Sequence, residues 1–285
     1  MKEDAQRKAR LAKQASYLMA AAPARKRNLA LQSLLQGLRE NRKKIIAQNA
    51  KDIRAAQRAG LSLPLLKRLE LSQEKFAEII REVSGVKRQR GPLGRVISKT
   101  LLDTGLELSQ VTTPLGVVCA IFESRPDALV QISCLAIKTG NCAILKGGSE
   151  AKNTNRILAK IIRSSLRKSG LPQQAIELVE SRESVKKLLA MNDCIDLIIP
   201  RGSGDFVRHI QKNSTIPLLA HSSGICHEYV DEQADLQKAV KICMDAKCQY
   251  PAACNSMETL LVHEKIAGKF LAPYAKALGG KVELR

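Results

Sequence analysis

Val117-Val118-Cys119-Ala120-Ile121-Phe122 contains no charged or amide side chain, and a strand of that kind leaves neither face for water. Cys142 to Leu145, Ile176 to Val179 and Ile195 to Ile199 are further short, mainly apolar runs. Between them, Asp127 to Lys138, Asn153 to Lys168 and Glu183 to Ala190 carry apolar residues at helical spacing. Strand and helix in alternation build a parallel sheet covered on both faces. The pattern therefore predicts an α/β fold with a doubly wound parallel sheet, the architecture of dinucleotide-binding domains. In such a sheet ligands collect at the carboxyl ends of the strands.

Upstream, Leu11, Ala15, Leu18 and Met19, then Leu31, Leu34, Leu35 and Leu38, then Ile45, Ile46 and Ile53 recur at helical spacing, with Pro23 separating the first two helices. Ser62 to Leu69 reads as a short helix and Ser72 as the cap of the next. Residues 1–95 are thus expected to form a helical layer. Val96 to Leu102 and Leu106 to Thr112 flank the turn sequence Asp103-Thr104-Gly105 and predict a hairpin over 96–113. A two-stranded ribbon is marginal alone in water, so it is expected to lie against another subunit or to fold back as a flap.

With 285 residues and 45% hydrophobic content the chain can bury a proper core. Its net charge of +20 is concentrated in the N-terminal helical part, and such a surplus serves nucleic-acid binding, steering of phosphorylated ligands or solubility. Aromatic residues make up only 3% and Trp is absent; stacking platforms for single strands are scarce, so no nucleic-acid partner is expected. No apolar run approaches the roughly 18 residues needed to cross a bilayer, and Met1 to Arg10 is polar. Neither a membrane partner nor a signal peptide is expected, and the cytoplasm is the expected compartment. Eight cysteines without a short-spaced framework fit that compartment. Cys243, Cys248 and Cys254 include no CxxC pair, so no metal is expected.

Three segments carry candidate chemistry. Lys146-Gly147-Gly148-Ser149 follows a strand: the lysine offers a cation, the glycines let backbone approach a ligand, and the serine is a small donor. Arg201-Gly202-Ser203-Gly204 follows another strand and opens a helix, whose backbone N–H groups suit a pyrophosphate. Each also reads as a plain turn. Cys254, in Tyr250-Pro251-Ala252-Ala253-Cys254-Asn255 ahead of the strand-like Thr259 to Val262, is placed either as an exposed thiolate nucleophile or as a buried small hydrophobe.

These segments, together with Phe122-Glu123-Ser124-Arg125-Pro126-Asp127, Gly148-Ser149-Glu150-Ala151, Asp196 to Ser203 and His221-Ser222-Ser223-Gly224, resemble in order and spacing the γ-glutamyl phosphate reductase family of the aldehyde dehydrogenase superfamily. The run around Cys254 is most like the reductase part of Δ1-pyrroline-5-carboxylate synthases. The resemblance implies an aldehyde dehydrogenase-like fold: a helical part over 1–95, a hairpin oligomerisation arm over 96–113, a cofactor domain over 114–247 and the start of an incomplete catalytic domain over 248–285. It implies NADPH-dependent reduction of γ-glutamyl phosphate to glutamate 5-semialdehyde in proline biosynthesis.

In that reading Cys254, Asn255 and Ser124 are catalytic, and Glu123 and Arg125 bind substrate. Lys146, Gly147, Gly148, Ser149, Arg201, Gly202, Ser203 and Gly204 bind the cofactor. Ser149 stands where relatives often place an acid that repels a 2′-phosphate, which favours NADPH. The resemblance further implies a homo-oligomer at full length and, by analogy with the fused synthases, a glutamate kinase partner. The chain is expected to be truncated at its C-terminal end. Two alternatives stand beside this expectation: an inactive remnant that at most binds NADPH, and a basic nucleic-acid-binding protein.

Overall fold

A computed structural model describes residues 4–202, 204–220, 224–251 and 255–283. The chain divides into two compact units, Met1–Ala220 and His221–Arg285.

The first unit begins with helices α1 (Ala5–Ala21), α2 (Ala24–Glu40), α3 (Arg42–Arg58), α4 (Leu63–Leu69) and α5 (Gln73–Arg88). Asp4 caps α1 by accepting the Arg7 N–H, and Ser72 caps α5 by accepting that of Lys75, each satisfying a donor that the first turn leaves open. Helix α2 buries Leu31, Leu34, Leu35 and Leu38 as the spacing predicts. Helix α1 differs from expectation. Its buried stripe is Ala5, Ala9, Ala12, Ala15 and Met19, while Leu18 is exposed. Small side chains let the helix lie close against the strands Cys142–Lys146 and Ile176–Val179, where a leucine stripe would hold it off.

Strands β1 (Val96–Asp103) and β2 (Leu106–Val111) form the expected antiparallel hairpin. Every residue of both strands is exposed, Leu101 to 72%, and the two strands pair only with each other among the described residues.

Then follow β3 (Val117–Ile121), α6 (Pro126–Lys138), β4 (Cys142–Lys146), α7 (Lys152–Lys168), β5 (Ile176–Val179), α8 (Arg182–Leu188), β6 (Leu197–Pro200) and α9 (Gly204–Asn213). The strands form one sheet in the order β5-β4-β3-β6, all parallel. The fully buried β3 and the wholly apolar Ala143 to Leu145 account for the unbroken hydrophobic runs of the sequence. Helix α7 is seated by Asp52 of α3, whose carboxylate accepts the Asn153 and Thr154 N–H groups, the Asn153 amide and the Thr154 hydroxyl at 2.6–3.2 Å. That contact fixes the helix that begins just after the Gly147-Gly148 turn.

In the second unit β7 (Cys226–Val230) and β8 (Met257–Val262) pair in parallel, with α10 (Leu236–Cys248) and α11 (Glu264–Leu278) packed on them. Val230, Cys243, Met257, Phe270, Tyr274 and Leu278 form their shared core.

Candidate functional site

Register brings the candidate residues of the first unit together. Ile121 lies opposite both Lys146 and Pro200, and Lys146 lies opposite Val179, so the four strands end at one level. The Phe122 N–H donates to the Lys146 carbonyl at 2.9 Å and the Arg201 N–H to that of Ile121 at 2.7 Å. Four loops therefore leave the sheet side by side: Phe122 to Arg125, Gly147 to Ala151, Glu180 to Ser181 and Arg201 to Gly204.

Between two of these loops lies a cavity of about 260 Å³ lined by Gly147, Gly148, Ser149, Lys152, Glu180 and Ser181, among others. The glycines are demanded by close approach: a Cβ on Gly147 would stand 2.2 Å from Asn155 Nδ2, and one on Gly148 1.8 Å from Glu150 Oε1. Lys146 is half-buried and its Nζ has no hydrogen-bond partner among the described residues. Burial pushes its pKa down, with Glu150 and Glu123 opposing and Arg182 adding to the fall. Glu180, on the cavity wall, is gripped by Arg156 through Nε (2.5 Å) and Nη2 (2.8 Å), with Lys152 Nζ at 3.9 Å. Its charge is thus offset, and the exposed Ser149 and Lys152 complete a wall suited to an anionic ligand. A cradle without Cβ atoms, a cation without a partner and a neutralised acid fit the ribose and phosphates of a dinucleotide.

Glu150, next to Ser149, turns toward the loop after β3. Its Oε1 accepts both the N–H and the hydroxyl of Ser124 at 2.7 Å. Burial works against its ionisation, but the Ser124 hydroxyl, the backbone N–H groups of Glu150 and Ser124, and Lys146 outweigh it and hold the carboxyl below its usual range. Ser124 is buried and has a φ of 38°, the left-handed region, unlike any other non-glycine residue described. Both of its donors are thereby engaged. Arg125 Nη2 pairs with Asp127 at 2.6 Å. Glu123 is exposed, with Oε1 3.3 Å from where a Gly202 Cβ would stand. Arg201 and Gly202 are exposed and Gly204 opens α9; Ser203 lies outside the described residues.

The profile of the Aldehyde dehydrogenase family matches residues 1–282. The chain belongs to the aldehyde dehydrogenase family. It is 51% identical over 277 residues to a gamma-glutamyl phosphate reductase of Pelotomaculum thermopropionicum, a match that covers 97% of this chain and 64% of that protein. The crystal structure of gamma-glutamyl phosphate reductase from Thermotoga maritima superposes with a TM-score of 0.90 at 34% identity, over 97% of this chain and 67% of that one. The Saccharomyces cerevisiae enzyme of the same name gives 0.73 at 38% identity, over 98% and 71%. The chain thus spans a little under two thirds of the length of its curated relative.

Aldehyde dehydrogenases use NAD(P), act on small molecules and often oligomerise. The expected nucleophile of this family member, Cys254, lies outside the described residues, as does His221; Asn255 is exposed in the second unit. His227 Nδ1 stands 2.9 Å from the Ile225 carbonyl oxygen, a local structural contact. Three buried thiols of the first unit are unsuited to nucleophilic work. Burial pushes Cys119 and Cys142 up to about 12, and Cys134 higher still with Glu82 adding to it. Among the described residues no group of His, Cys, Asp and Glu could hold a metal, and no helix is long and apolar enough to cross a membrane.

Sequence reasoning missed Glu150, Lys152, Asn155 and Glu180. A Glu after Gly-Gly-Ser is visible in the sequence, but nothing local tells that it reaches a serine 26 positions earlier.

Proposed function

We propose that this chain serves the NADPH-dependent reduction of γ-glutamyl phosphate to glutamate 5-semialdehyde with release of phosphate, a step of proline biosynthesis. The observation that carries this reading is the 51% identity, across 97% of the chain, to a protein named gamma-glutamyl phosphate reductase. The cavity beside Gly147 and Gly148 supports it independently, with Lys152 on its wall, its neutralised Glu180 and no acid at Ser149 to repel a 2′-phosphate.

The nucleophile in this reading is Cys254. Its thiolate attacks the γ-carbonyl, a C–S bond forms, the C–O bond to phosphate breaks, and the electron pair leaves with phosphate. What NADPH supplies when bound is hydride, which brings the acyl carbon to the aldehyde level. The C–S bond then breaks and the thiolate is restored. The oxyanion that develops on the carbonyl oxygen needs preorganised donors, for which the Cys254 amide and Asn255 are proposed. Ser124 belongs to the same proposed set, with its two donors held by Glu150 in this structure. Arg125 and Glu123 are proposed to meet the glutamyl group, and Lys146 with the Arg201 to Gly204 turn to hold the cofactor. The exposed hairpin β1–β2 is proposed as a contact between subunits, the cytoplasm as the compartment, and a glutamate kinase as a partner.

The test is phosphate-dependent NADPH formation from glutamate 5-semialdehyde and NADP. Formation that disappears in Cys254→Ala supports the reading. Formation that survives the substitution, or none from the parent chain, overturns it for this polypeptide.

A further inference from the structure

Glu150 has no part in the chemistry just described, yet its carboxylate joins two loops that do. Oε1 takes the N–H and hydroxyl of Ser124 from the loop after β3. The same carboxylate lies directly on the Gly148 backbone, where a Cβ would stand 1.8 Å from Oε1 and 2.5 Å from Oε2. Gly148 lines the cavity. Lys146, at the end of β4, is close enough for its charge to act on Glu150. Ser124 is held at φ 38°, a conformation that is costly for a non-glycine residue and persists only where its surroundings enforce it. The two hydrogen bonds to Glu150 supply that enforcement.

We propose that Glu150 is a positioning residue: it holds Ser124, and with it the Glu123-to-Arg125 loop, against the Gly147-Gly148 turn, so that occupation of the cavity by NADPH is felt at the loop after β3. The inference rests on the cofactor reading given under Proposed function. The route is one side chain long. A ligand in the cavity meets the Gly148 backbone, against which the Glu150 carboxylate lies, and a turn held in place by that ligand keeps the carboxylate on the Ser124 donors. The loop tightens when the cofactor arrives. Conversely, a Ser124 donor reaches another acceptor only by leaving Glu150.

Hydrogen–deuterium exchange at the Ser124 amide, with and without NADPH, combined with NADPH titration, tests this on the parent chain, Glu150→Ala and Glu150→Gln. Exchange at Ser124 is expected to rise at least tenfold in Glu150→Ala and NADPH binding to weaken at least fivefold. Glu150→Gln keeps a carbonyl acceptor and is expected to recover most of both, a rescue that loss of folding would not produce. NADPH is expected to slow the exchange in the parent chain and leave it unaltered in Glu150→Ala. Unchanged exchange in Glu150→Ala, or exchange in the parent chain indifferent to bound NADPH, would overturn the proposal. A parent chain that binds no NADPH would refute the cofactor reading itself, and the coupling with it; the titration alone identifies that outcome.

Discussion

Gly148→Ala offers a sign test of how the Gly147-Gly148 turn is built. The new Cβ falls 1.8 Å from Glu150 Oε1, but the obstacle is the end of a flexible side chain and rotation relieves the clash. What is lost is the pair of 2.7 Å hydrogen bonds to Ser124. Hydrogen bonds to a charged group contribute about 1.5–3 kcal/mol each, and two that share one oxygen are worth roughly 3–4 kcal/mol together. Against this, Gly148 sits at φ −61°, ψ 148°, where alanine is unstrained, and an alanine there stabilises by about 0.4–1 kcal/mol through the unfolded chain. The net expectation is a loss of about 3 kcal/mol, or roughly 6–12 °C in Tm for a unit of this size. In a Glu150→Ala background nothing remains to displace, so the same substitution should become neutral or stabilising by about 0.5–1 kcal/mol. Urea denaturation of the four proteins of this cycle reads the difference. Equal destabilisation by Gly148→Ala in both backgrounds would refute the reasoning, because the cost would then lie in the backbone and not in Glu150.

Removing the Asp52 carboxylate leaves four donors of buried or half-buried Asn153 and Thr154 without their acceptor, so Asp52→Ala should destabilise by about 3–5 kcal/mol in urea; a loss under about 1 kcal/mol would show that water replaces it. Glu177 is 2% exposed in β5, and burial raises its pKa above 4.5 despite Arg163, Lys8 and Arg7. Its carboxyl is easier to ionise unfolded than folded, so its contribution to stability is whole below the unfolded value and falls as pH rises through the folded one. Relative to Glu177→Gln, the parent chain should therefore lose stability between pH 4.5 and neutrality, as thermal melts across that range would show; parallel profiles would contradict the burial argument. Leu101→Glu with Leu106→Glu changes two exposed positions of the hairpin, so Tm should hold while sedimentation velocity shifts to a smaller species if subunits meet there; an unchanged distribution would place the contact elsewhere.

Much of the first unit could be read before any coordinates. The apolar runs at Val117, Cys142, Ile176 and Ile195, the Asp103-Thr104-Gly105 turn and the Ser72 cap each depend on spacing within a dozen residues, and each reappears as β3 to β6, the β1–β2 hairpin and the start of α5. The second unit was less legible. Strand β7 has the mixed sequence Cys226-His227-Glu228-Tyr229-Val230, half exposed, and α11 carries Pro273 in its interior, so neither shows a clean period.

The sequence by itself determined the alternation of strands and helices, the parallel sheet it implies and the ends at which a ligand would collect, because a period of 2 or 3.6 is a property of neighbours along the chain. Only the tertiary structure decided that α1 buries alanines and exposes Leu18, that Glu150 serves Ser124 instead of facing the cavity, and that Glu180 is neutralised by Arg156. Those outcomes depend on how closely a helix approaches a sheet and on which loops the strand register sets side by side. Residues 26 and 24 positions apart meet there, a distance along the chain over which no local spacing carries information.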